Sequence, residues 1–105
     1  MPPITSSPPV TIPEDVAQFC GARGIIDDLH LAIRLADVVF APVERWQVAI
    51  EPDPETDDEC VVIDLWASMS VESAVERNHD LARRWVAAAS SAAQPIIRVL
   101  SHFTE

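Results

Sequence analysis

The sequence predicts an α+β fold, a small antiparallel sheet of two or three strands with helices packed on one face, in the order α-α-β-β-α with a third strand as the closing option. Three observations predict it. Apolar residues recur at steps of three and four before Pro42 and again after Ser70, but at steps of two between them. The change of period coincides with a proline, which ends the helix before it. And 105 residues leave room for one hydrophobic core, too small for a doubly wound sheet or a large barrel.

Residues 1–10 hold four of the nine prolines, together with serine and threonine, and are expected to form a disordered, proline-rich arm ahead of a single α+β domain over 11–105. Thr11, Pro13 and Glu14 form a helix-start signal, so a first helix is expected over 12–20, with Val16, Ala17, Phe19 and Cys20 inward and Gly21 and Gly24 as stop and turn. A second helix over 25–40 carries Ile26, Leu29, Ile33, Ala36 and Phe40 as its main stripe, and Asp27 and Asp28 in its first turn suit the helix dipole. From Arg45 the alternation puts Trp46, Val48 and Ile50 on one face of a strand; Val61, Ile63, Leu65 and Ala67 repeat it, and the two strands form a hairpin. Ser70 caps a long helix expected to reach Ser91, with Val71, Ala74, Val75, Asn78, Leu81, Ala82, Trp85, Val86 and Ala89 on its core side. Ile96 to Phe103 is rich in branched residues and reads as an edge strand.

Seventeen acidic against seven basic residues give a net charge of −10, and every basic side chain is arginine. Phosphate neutralisation needs a basic footprint, and the one local patch, Arg83-Arg84, is too small, so direct nucleic-acid binding is not expected. The lysine-free composition, rich in alanine, valine and arginine, resembles the habit of a GC-rich bacterial genome, and a bacterial source is expected. Cys20 and Cys60 are 40 residues apart with no CxxC pairing, and read as buried free thiols in a reducing cytoplasm. No charged-then-apolar leader opens the chain, and its longest nearly uncharged stretch, 86–97, is too short to span a membrane.

Six carboxylates fall within nine residues: Glu51, Asp53, Glu55, Asp57, Asp58 and Glu59. A calcium loop of the EF-hand kind needs a central glycine, which this run lacks, so no metal site is assigned. A turn is expected around Asp53-Pro54-Glu55-Thr56, and the run reads as an acidic hairpin tip able to dock to a basic protein. Asp64 and Trp66, on the other face of the second strand from its apolar row, complete the partner-binding set. His30, His79 and His102 do not sit at ligand spacing, no serine lies in a GxSxG elbow, and no catalytic residue or cofactor is assigned.

The expected function is therefore that of a small acidic protein-binding module, inhibitory or accessory, of which an antitoxin or immunity protein is one version. An open sheet edge offers pairing to a partner chain or to a second copy in a homodimer. The alternatives are a homo-oligomeric structural module, or a ligand-binding or enzymatic domain with a pocket between helix two and the sheet, lined by Trp46, Trp66, His79 and Asp64.

Overall fold

The computed structural model describes residues 9–104. Most of the arm expected over 1–10 lies outside them, and its last residue, Val10, packs with Ile12 against the core. The described residues form α1 (Glu14–Ala22), α2 (Ile26–Phe40), β1 (Arg45–Pro52), β2 (Glu59–Ser68), α3 (Val71–Ala88) and β3 (Ile97–Thr104), a mixed α+β fold with sheet order β1-β2-β3.

α1 starts two residues later than its cap signal implied. Pro13 occupies the cap position without a side-chain bond, and its carbonyl accepts the Ala17 N–H at 3.0 Å. Gly21 stays helical, and the chain reverses at Gly24, whose φ of +68° is the conformation glycine adopts at low cost. α2 runs to Phe40 as expected. Ala41 at ψ 140° then leaves the helical region ahead of Pro42.

β1 and β2 pair antiparallel in the register set by their alternation, Trp46 opposite Leu65 and Val48 opposite Ile63. β3 pairs with the other side of β2 in the parallel sense, Ile97 beside Val61 and Val99 beside Ile63, so the sheet is mixed rather than purely antiparallel. The cause is the length of α3. Its 18 residues extend about 27 Å at 1.5 Å per residue, enough to return the chain to the end of the sheet where β2 began.

All three helices lie on one face. Val48, Val61, Ile63 and Ile97 meet Val16, Phe19, Leu29 and Ala32 in one cluster, and Leu65 and Ala67 meet Ala36, Phe40 and Leu81 in the other. Burying a side chain of this kind stabilises the fold by about 1.5–3 kcal/mol. Trp46 packs on both clusters, and its buried indole N–H has no hydrogen-bond partner among the described residues.

α3 departs furthest from expectation. Ser70 caps it, its Oγ accepting the Ser73 N–H at 3.2 Å, but the helix ends at Ala88 rather than Ser91. Ser90 instead donates its N–H and hydroxyl to the Asp28 carboxylate of α2, both at 3.0 Å, tying the 89–96 segment back to the bundle. Of the expected apolar stripe, Ala74 and Leu81 are buried, whereas Val71, Val75 and Val86 are exposed. The helix rides over the β3 side of the sheet on a narrow contact, and the wider part of its stripe faces solvent.

Candidate functional site

Because the helices occupy one face, alternate residues of each strand project from the other, where no helix covers them; Cys60 and Val62 are nonetheless buried, at the end where Asp53 of the 53–58 turn reaches Arg98 of β3. The registers place three rows across this outward face: Arg45, Trp66, His102; Gln47, Asp64, Leu100; and Ala49, Val62, Arg98. Trp66 stands on the central strand, in the first of these rows. The Arg45 guanidinium lies 4.2 Å from its ring centroid, and the His102 ring stacks on it at 4.7 Å with 17° between planes. His102 Nε2 donates to Asp64 Oδ1 at 2.8 Å, which fixes the imidazole against the indole. Trp66 and Asp64 are half-buried, so the four side chains form a flat shelf whose aromatic groups are held in place before any partner arrives.

The acidic run divides into two roles. Asp53 is buried at the base of the turn. Its Oδ1 accepts the Glu55 N–H at 2.8 Å and the Thr56 N–H at 3.4 Å, while its Oδ2 pairs with Arg98 of β3. Its backbone closes the loop as well, donating to the Asp58 carbonyl at 2.7 Å and accepting from Asp57 at 2.8 Å. The Glu55 N–H above all, with the Thr56 N–H and Arg98, holds the Asp53 carboxyl below the ordinary aspartate value, against the opposing effect of burial. Asp53 therefore builds the turn, a role the expected Asp53–Thr56 turn implied but the grouping with its neighbours obscured. Asp57 sits at φ 64°, a left-handed position that Asp tolerates better than most residues.

The other five, Glu51, Glu55, Asp57, Asp58 and Glu59, are exposed. Glu55, Asp58 and Glu59 border a cleft of about 480 Å³ closed on its other side by Pro95 and Ile96. Among the described residues no three His, Cys, Asp or Glu side chains gather in a metal-binding arrangement.

The pocket considered between α2 and the sheet does not form from its expected lining. Trp46 points toward the helices and Trp66 away from them, since they lie in adjacent register rows, Trp46 opposite Leu65 and Trp66 opposite Arg45, and adjacent rows face opposite sides; His79 is exposed on α3. Leu29, Ala32, Val48 and Ile63 fill the space between. An apolar groove of about 350 Å³ lies elsewhere, between α3 and β3, lined by Asn78, Ala82, Trp85 and Val99 among others.

Arg45, Arg98 and His102 were not singled out in the sequence. Arg45 had a signal, because hairpin register sets it across from Trp66; His102 had none, because its place depends on the direction of β3. Both cysteines are free and buried, and burial raises the Cys20 thiol above its ordinary value, against the opposing effect of Arg23. No helix among the described residues is long and apolar enough to cross a membrane. Comparison with protein-family models, curated proteins and solved structures finds no match, so the site is read from its own chemistry.

Proposed function

We propose that the protein is a small acidic protein-binding module of the cytoplasm, inhibitory or accessory in type, that docks on a basic partner; an antitoxin or immunity protein is one version of it. One observation carries the reading: a helix-free sheet face with Trp66 clamped between Arg45 and His102 at one end of the hairpin, and five exposed carboxylates at and beside the turn at its other end. An ordered aromatic shelf supplies the anchor that interfaces concentrate their affinity on. The carboxylates supply long-range attraction for a basic surface and speed its approach.

The test is affinity capture of the protein at native expression level, washed across a salt series. A stoichiometric basic protein released as salt rises is the expected result. Two variants divide its affinity. Replacing Glu51, Glu55, Asp57, Asp58 and Glu59 by their amides, with Asp53 kept because it builds the turn, flattens the salt dependence. Trp66→Ala weakens binding by about 10-fold or more and leaves the salt slope in place. Capture of the bare protein, or a partner indifferent to both variants, would overturn the proposal.

A further inference from the structure

We infer that two copies of the chain pair through the free edge of β3, antiparallel about an axis at Ser101, to make a continuous six-stranded sheet with the two α3 helices side by side above the seam.

β3 is an edge strand eight residues long, and beyond Ile97, whose N–H donates to the Ala93 carbonyl at 3.0 Å, its outer N–H and C=O groups are open to a further strand. The opposite edge, β1, is flanked by α1, which packs against it. Beside β3 the exposed apolar residues gather. On α3, Val71, Val75, Ala82 and Val86 project to the side opposite Arg77, Asp80 and Arg84, which border the groove shared with α2. That side of α3 adjoins the groove with β3 that Ala82 and Trp85 line. On β3 itself Leu100 is 49% and Phe103 36% exposed.

Charge selects the occupant. In a chain of net charge −10, β3 holds no carboxylate from Ile97 to Thr104, and the four α3 residues of the seam are all apolar. A basic protein would be drawn to the acidic turn, whereas a second acidic copy can approach only where carboxylates are missing. The size fits as well. Strand and helix each run about 27 Å, and two layers of about 10 Å each give a face on the order of 500 Å² per copy. Two such faces bring the total above about 1,000 Å², the region where specific interfaces begin.

An axis at Ser101 also accounts for the groove. Odd-numbered residues of β3 face the helices, so Phe103 of one copy stands opposite Val99 of the other and enters the groove bordered by Val99, Ala82 and Trp85, whose volume of about 350 Å³ accommodates a phenyl ring. On the outward face Leu100 stands opposite His102 of the second copy, which keeps Arg98 away from that imidazole. The assembly needs no basic partner, so its failure and the failure of the proposed function are separate results.

Sedimentation equilibrium of the pure chain tests it, with a dimer of about 23 kDa expected from the 11.5 kDa chain. The double variant Val75→Glu, Leu100→Glu changes two residues that are half-exposed in the single copy, so its circular dichroism is expected to stay native while the dimer dissociation constant rises at least about 30-fold. Ser101→Cys is expected to form an intermolecular disulfide on mild oxidation, because a residue facing itself across antiparallel strands has a Cα separation of about 4.5–5.5 Å. Ala87→Cys, exposed on α3 away from the seam, is the control that stays reduced. A single-chain mass up to high concentration, a dimer insensitive to the double variant, or a Ser101→Cys protein that crosslinks no better than the control would each overturn the inference.

Discussion

Asp53 shows how one residue in an acidic run can differ from its neighbours in kind. Two backbone N–H groups and Arg98 stabilise its charged form, so its carboxyl titrates below its ordinary value of 3.8. The sign follows from linkage. A lowered folded value means that the unfolded chain takes up the proton first, so the contribution of Asp53 is complete above the ordinary value and is lost as pH falls through the folded one. Asp53→Asn retains a side-chain oxygen for the Glu55 N–H but loses the charge toward Arg98. The variant is expected to be less stable than the parent near about pH 7 and to converge on it as pH falls through the lowered folded value, since the parent carboxyl is then protonated too. Urea midpoints across that range check it, and a constant gap between the two curves would show that the Asp53 charge does not hold the turn. The glutamates and aspartates around it lack such bonds and are available for a partner; composition ranks all six alike, and only backbone geometry separates them.

Among the elements, the two glycines at the end of α1 make a paired test. Gly21 lies inside the helix and a Cβ there meets nothing within 4 Å, so Gly21→Ala is expected to stabilise the protein by about 0.5–1 kcal/mol. A Cβ on Gly24 has the same open space, but φ is +68°, and Gly24→Ala is expected to destabilise by about 1–2 kcal/mol. Thermal unfolding of the two variants should move in opposite directions, and parallel shifts would contradict the backbone account. The same distinction marks what was legible in the sequence. Local periodicity carried α2, the hairpin faces and the Ser70 cap, because each is decided by residues within a turn or a strand of one another. The direction of β3 was not legible, since it depends on how far α3 carries the chain. The Trp66 shelf inherits that: Arg45 was in reach through hairpin register, but His102 arrives from 36 residues away. The α3 stripe was read correctly as apolar and wrongly as wholly internal, because periodicity reports a face without saying whether the chain or another molecule covers it.

At the scale of the whole molecule, 17 acidic side chains against seven arginines share a body with extents of 40 × 31 × 23 Å. At about 10 mM salt the Debye length is about 30 Å, so charges across the molecule sense one another; at about 150 mM it is about 8 Å, and only neighbours do. Salt therefore acts in two directions. It weakens the local attractions, Asp80 with Arg83 and Arg84, Asp64 with His102 and Asp53 with Arg98, and it weakens the general repulsion. All four of these pairings have an exposed basic partner and contribute little each, while the repulsion is summed over the excess of ten negative charges and opposes compaction. Repulsion is expected to dominate. The melting temperature at fixed protein concentration should rise by about 3–8 °C between about 10 and 150 mM sodium chloride, which corresponds to about 1 kcal/mol for a domain of this size. The five-amide turn variant should start higher at low salt and gain less on screening, because it lacks half of the excess charge. A melting temperature that falls with salt would place the balance in the local ion pairs instead, and would remove the physical basis for treating the acidic turn as surplus charge held ready for a basic surface.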